Sequence, residues 1–190
     1  MTDWTVGDCT VAMIRGNLAE EPMDMISLGV GMDFLPNGPA SGAIFGAAGD
    51  ELQKEVGDNE VESPGDILVA GGHELPSDQI ILCSLPNTSE VNDLEEFLLE
   101  CYLRILEEAS DREDVRSLSL APLGTGDLDY SLKVASTTLI DAIQQLAGDS
   151  LRLDRLNIVV FETVQFYSVQ NFVKQTLEGD REQGPKPEYY

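Results

Sequence analysis

The residues of this chain best suited to chemistry lie in Ser117–Tyr130, SLSLAPLGTGDLDY, just before Ser131–Leu146, SLKVASTTLIDAIQQL. Leu123-Gly124-Thr125-Gly126 is a glycine turn that leaves its amides uncovered by side chains. Placed between a buried strand and a helix N-terminus, such a turn attracts phosphate, because free N–H groups and the helix dipole both favour an anion. The other reading is a tight strand–helix connection with no ligand, since short glycine motifs are weak signals. Asp127 and Asp129 follow at once, and Asp33 stands in an earlier loop. Carboxylates in that setting could act as acid and base, or hold Mg²⁺ against a diphosphate. They equally suit the solvated surface of an acidic protein. Ser41 and Thr125 have no visible base to make either a nucleophile. His73 is the only histidine and has no cysteine or histidine beside it, so it reads as packing or solvent-facing. Cys9, Cys83 and Cys101 are far apart in sequence and read as buried thiols, with no metal site expected.

The elements that must position these residues follow from apolar spacing. Ser117–Leu123 is short, apolar and bounded by turns, which predicts a buried strand. Leu132, Ala135, Leu139, Ala142, Ile143 and Leu146 recur at helical spacing behind Ser131 as N-cap, with Gly148 as the closing glycine. Further strands are predicted at Thr10–Leu18, Asp24–Val30, Ile67–Ala70, Gln79–Leu85 and Asn157–Phe161. Helices are predicted over Ser41–Val56, from a capping box at Asn92-Asp93-Leu94-Glu95, and over Val164–Leu177. The late alternation of strand and helix predicts a layered α/β fold with a largely parallel sheet. Ligands of such sheets lie beyond the carboxyl ends of the strands. Three loops leave those ends: Gly31–Ser41, Gly124–Asp129 and the link after Phe161. One domain is expected over residues 1–178, with 179–190 a polar, mobile tail.

Charge is the strongest global signal. The chain has 190 residues, of which 35 are Asp or Glu and 11 Lys or Arg, a formal net charge of -24. Without a basic patch, nucleic acid and anionic membrane surfaces are poor partners. No apolar run approaches a membrane helix, and the N-terminus lacks the pattern of a signal peptide, so a cytoplasmic location is the expectation. The composition fits either a halophilic-like protein in a salty cytoplasm or an ordinary acidic one.

Four further segments fall in a telling order. Ile14-Arg15-Gly16-Asn17-Leu18 looks like a strand ending in Gly-Asp-Ile or Gly-Asp-Leu. Gly42-Ala43-Ile44-Phe45-Gly46-Ala47-Ala48-Gly49 looks like a Gly-Ala-Ile-x-x-Ala-Ala-Gly helix. Pro64-Gly65-Asp66 leads to Gly72-His73-Glu74-Leu75-Pro76 and then Gln79-Ile80-Ile81. Leu123-Gly124-Thr125-Gly126 comes last. In this order they resemble the macro domain family, which recognises ADP-ribose and related nucleotides, over roughly Val11 to Leu177. The resemblance implies a three-layer α/β/α sandwich around a mixed, largely parallel sheet of about six strands. It implies a nucleotide cleft in which the amide of Leu18 helps hold adenine and Phe161 packs on it. Gly124, Thr125 and Gly126, with Leu123, Asp127 and Leu128 around them, correspond to the loop that cradles phosphate, and Gly42 begins the helix beside the first phosphate loop.

The departures from the family bear on activity. Its adenine-reading aspartate is Asn17 here, and the asparagine that orients the distal ribose in many members is Gly31. Its first glycine-rich loop is Pro36-Asn37-Gly38-Pro39, whose prolines bring no amide N–H. The aspartate many members use in hydrolysis is Ser41. These changes remove the usual hydrolytic machinery and leave three readings. The first is a module that binds ADP-ribose or a related nucleotide without turnover, with no protein cofactor beyond an optional Mg²⁺. The second is a hydrolase rebuilt around Asp127 and Asp129. The third is a degenerate macro-like fold, its cleft closed by Pro36 and Pro39, that contacts a protein partner or forms a homo-oligomer.

Overall fold

A computed structural model describes residues 3–57, 59–148 and 150–182, with side chains described as far as residue 177. Its centre is a seven-stranded sheet in the order β1-β2-β7-β6-β3-β5-β4. In chain order these are β1 Asp3–Val6, β2 Cys9–Arg15, β3 Met25–Val30, β4 Ile67–Gly71, β5 Gln79–Ser84, β6 Ser117–Leu120 and β7 Arg155–Val160. The five inner strands run parallel, and only the two edges, β1 on β2 and β4 on β5, are antiparallel. Every inner strand therefore ends at the same side of the sheet, and the loops after β2, β3, β6 and β7 meet there.

Alternation along the strands separates two cores. Ile26, Leu28 and Val30 of β3, with Ile80 and Leu82 of β5, face helices α1 (Pro39–Ala48) and α2 (Asp50–Val56). Met25, Ile81, Cys83, Leu118 and Ile158 face the opposite way. There they meet α3 (Leu94–Asp111), α4 (Leu132–Gln145) and α5 (Thr163–Glu182). The result is the three-layer α/β/α sandwich that the family resemblance implies.

Several boundaries differ from the sequence reading. The seventh strand, β1, is a short polar-apolar edge that folds back on β2 by a hairpin at Gly7. The single helix expected over Ser41–Val56 is two helices, parted at Gly49, where φ is +82°. The cap of α3 is Asp93 rather than Asn92, and its carboxylate accepts from the amides of Glu95 and Glu96 at 3.1 Å. Ser131 caps α4 as expected, accepting from Val134 N. Helix α5 runs to Glu182, so Gly179–Glu182 of the expected tail are helical. Residues 183–190 lie outside the described residues.

One carboxylate ties the non-ligand end of the sheet together. Asp24 Oδ2 accepts from the amides of Arg116 and Ser117 and from the Ser117 hydroxyl, each at 2.8 Å. Partial burial works to raise its pKa, but these donors outweigh it and hold the carboxyl below its ordinary value of 3.8. A lowered folded pKa contributes stability above the unfolded value, and that contribution is lost as pH falls through the folded one. Asp24→Asn is therefore expected to lower stability by about 1 kcal/mol at pH 7, with the gap closing below about pH 4. Urea midpoints at both pH values check this, and an equal gap at both would count against it.

Candidate functional site

A cavity of about 560 Å³ opens where the parallel strands end. Three chain segments build it. Gly16, Asn17 and Leu18 leave β2, Asn37 to Ser41 lead into α1, and Gly124 to Leu128 follow β6. Phe161, Glu162 and Gln165 close the remaining side, from the end of β7 into α5. Leu28, Ile44, Val159 and Leu132 supply apolar wall between them.

The loop after β6 is braced from within. Gly124 has φ of +70°, and the Tyr130 ring lies directly against it. Tyr130 N donates to Gly124 O at 3.0 Å, and its hydroxyl donates to Pro86 O at 2.7 Å. Burial, with the neighbouring thiols of Cys101 and Cys83, pushes the Tyr130 phenol well up, so it stays protonated and keeps donating. Leu123 N donates to the Tyr102 phenol oxygen at 2.8 Å, and the Thr88 hydroxyl donates to Leu128 O. Asp129 N closes the turn on Gly126 O at 2.9 Å. Among the described residues the amides of Gly126, Asp127 and Leu128 donate to nothing. A rigid turn with three unpaired amides is a nest for an anion.

The loop before α1 is arranged differently. Gly31 N donates to Leu35 O at 2.8 Å, which closes a compact turn over residues 31–35. Asn37 N and Gly38 N both donate to Ser41 Oγ, at 3.1 and 3.2 Å. The hydroxyl proton of Ser41 is shared between Asn37 Oδ1 at 3.2 Å and Gly38 O at 3.1 Å. Ser41 is only 3 % exposed, so its oxygen is committed to holding the loop. Pro39 stands first in α1, where a missing N–H costs nothing. The cavity is open beside it, and Pro36 is not among its lining residues.

At the other side, Phe161 is 73 % exposed and lines the cavity. Asn17 Oδ1 accepts from Ala19 N at 3.1 Å and its Nδ2 donates to Glu20 Oε1 at 3.0 Å. Those bonds fix the amide and leave one lone pair and one N–H for a ligand.

Nine residues singled out in the sequence line this one cavity: Asn17, Leu18, Ser41, Gly124, Thr125, Gly126, Asp127, Leu128 and Phe161. Three do not. Gly31 is spent on its own turn, Gly42 faces open space on α1, and Leu123 is buried beneath the loop. Of the three aspartates, only Asp127 lines the cavity; Asp33 Oδ1 accepts from Leu35 N at 3.0 Å, and Asp129, at φ +54°, is not among the lining residues. His73 pairs with Glu55 at 2.6 Å, on the edge strand side. Asn37, Ala40, Glu162 and Gln165 line the cavity without having been picked out. Asn37 carries only a loop signal, whereas Glu162 adjoins Phe161 and Gln165 lies four residues beyond Phe161, in the first turn of a predicted helix.

A family model described as Macro domain matches residues 30–139. The chain belongs to the macro domain family. Among the relatives of this macro domain is the O-acetyl-ADP-ribose deacetylase 1 of Pantoea vagans, 23% identical over 163 residues, 82% of this chain and 94% of the relative. Among solved structures, a mutant of the Oceanobacillus iheyensis macrodomain superposes with a TM-score of 0.85 at 26% identity, covering 93% of this chain and 97% of that one. The same macrodomain with ADP superposes with a TM-score of 0.83 at 25% identity, covering 93% and 96%. No helix among the described residues of this macro domain is long and apolar enough to cross a membrane.

Proposed function

We propose that the cleft binds ADP-ribose or a closely related adenine nucleotide without the hydrolysis common in the family. One observation carries this reading: an exposed aromatic, Phe161, and a braced loop with unpaired amides at Gly126–Leu128 line the same cavity. An adenine ring needs a flat apolar surface, and a diphosphate needs N–H donors. The cavity size falls in the range of small-molecule sites. The Oceanobacillus iheyensis macrodomain with ADP and the deacetylase relative support an adenine nucleotide as the ligand class.

Absence of turnover follows from Ser41. It occupies the position of a hydrolytic aspartate in many members, and its hydroxyl is buried and engaged by Asn37 and Gly38. It offers neither a base nor a free nucleophile. The reaction class expected is reversible recognition, with adenine against Phe161 and Leu18 and the diphosphate against the loop after β6.

Calorimetric titration of ADP-ribose in high salt, with and without Mg²⁺, tests this. High salt screens the net charge of -24 that would repel the ligand. Saturable binding, with O-acetyl-ADP-ribose left intact on prolonged incubation, is the expected result. No heat at millimolar ligand would overturn the nucleotide reading and move the function to protein contacts. Deacetylation would overturn the absence of turnover and direct attention to Asp127.

A further inference from the structure

Among the described residues, two ionisable side chains line the cleft, Asp127 and Glu162, and both are acids, with no lysine, arginine or histidine beside them. Phosphate there would be met by amides alone, with no cationic side chain to offset a nearby carboxylate. Glu162 stands beside Phe161, on the adenine side of the proposed pose. Asp127 stands between the two loops. Its Oδ2 comes within 2.5 Å of the point that a Cβ on Gly38 would occupy, so the carboxylate bridges the loop after β6 and the start of α1. Among the described residues, the Asp127 carboxylate accepts no hydrogen bond and has no ion-pair partner.

Donors on the α1 side are already few. Asn37 N and Gly38 N are committed to Ser41 Oγ, and Pro39 has no N–H. The first helical bond runs from Gly42 N to Gly38 O, which leaves the amides of Ala40 and Ser41 as the remaining donors. A fixed negative charge beside so few donors makes the cleft sensitive to the ligand's own charge. Asp127 is exposed, and near a protein surface at low salt one unit charge within a few ångströms changes an anion's affinity by about tenfold.

We propose that Asp127 is a specificity-determining residue that selects a diphosphate esterified at both ends over a terminal diphosphate. The terminal form carries one more negative charge on the phosphate that would lie nearest Asp127. ADP-ribose is of the first kind, and ADP of the second. The ligand class rests on the nucleotide reading above; the role of the residue rests on its placement across the two loops.

The test compares ADP-ribose, ADP and inorganic pyrophosphate on the full chain, its Asp127→Asn variant and Asp129→Asn, in low and high salt. Asp129 lies outside the cavity, and its replacement removes the same formal charge from the same loop. Asp127→Asn is expected to bind ADP and pyrophosphate about tenfold tighter than the parent in low salt, and ADP-ribose by less, so the preference for ADP-ribose shrinks. In high salt the gain falls to about twofold, because exposed charges are screened. Asp129→Asn is expected to leave the preference unchanged. Asp127→Ala serves the same comparison should the asparagine find a new bond across the loops. Pyrophosphate binding no tighter in either Asp127 variant overturns the proposal, as does an equal gain from Asp129→Asn. If neither nucleotide binds any of the proteins while the Asp127 variants gain pyrophosphate, the nucleotide reading falls and the role of Asp127 stands.

Discussion

Replacing Gly124 by alanine is expected to destabilise the fold by about 3 kcal/mol, the sum of two separate effects. At φ +70° an L side chain costs about 1–2 kcal/mol. The added Cβ would also stand 2.2 Å from Tyr130 Cδ2 and 2.6 Å from Cγ, contacts no real Cβ sustains. Relief requires the ring to move, and the ring is buried, with its hydroxyl bonded to Pro86 O at 2.7 Å. Moving it leaves that carbonyl unpaired, at about 1 kcal/mol or more. The urea midpoint of Gly124→Ala should fall with little change in slope. A loss under about 1 kcal/mol would mean that the loop can shift away from Tyr130 at little cost. In that case the amides of Gly126–Leu128 are less firmly held than the bonding pattern indicates.

The second large effect concerns binding and leaves stability alone. Phe161→Ala is expected to weaken ADP-ribose binding by about 10-fold to 100-fold, the range for losing one base–aromatic stack. Because Phe161 is 73 % exposed, truncating it removes little core packing, and the thermal midpoint should stay within about 2 °C of the parent. Adenosine, which lacks the diphosphate, should lose affinity by a similar factor, and pyrophosphate should lose none. Equal losses for all three ligands would instead point to a distorted α5, since Phe161 directly precedes that helix.

The architecture was more legible than the site. Ile26, Leu28 and Val30 alternate with Met25, Ser27 and Gly29, so β3 announces both its type and its two covered faces. Ser131 caps α4 by local chemistry, which needs nothing from the rest of the chain, whereas the helix has Leu146 as its C-cap, two residues before the Gly148 expected to close it. Strand β1 escaped notice because Asp3–Val6 is only four residues long and half exposed, an edge held by pairing rather than burial. Gly49 was visible as a weak point in a helical pattern, but whether a glycine is tolerated or ends a helix depends on its φ, which tertiary packing sets. The shift of the α3 cap from Asn92 to Asp93 is of the same kind, since both residues cap well and only the chain path chooses between them.

Within the site, the residues were readable and their engagements were not. Gly124, Thr125 and Gly126 stand out in sequence because they fall between an apolar strand pattern and an N-capped helical one. Nothing local says that Ser41 Oγ takes up the amides of Asn37 and Gly38, or that Asn17 spends its amide on Ala19 and Glu20. Pro36 and Pro39 gave reason to expect a closed cleft, whereas Pro39 fits the first turn of α1 and the cavity stays open. The approach of Asp127 to Gly38 joins residues far apart in the chain and could come only from the folded arrangement.

The pairing of β2 with β7 sets an order of events during biosynthesis. Thr10 to Arg15 align with Arg155 to Val160, so an apolar strand waits for a partner made about 145 residues later. At about 5–20 residues per second the wait is roughly 7–30 s. β3, β4 and β5 find one another much sooner, and the loops of the phosphate half come from this earlier part of the chain, through Leu128. Asn17 and Leu18 follow β2, and Phe161 follows β7, so the adenine half is assembled only when that last seam closes. A chain that ends before Arg155 would carry the phosphate loops and Leu18 without Phe161, and Thr10–Ile14 of β2 would have no parallel strand beside them.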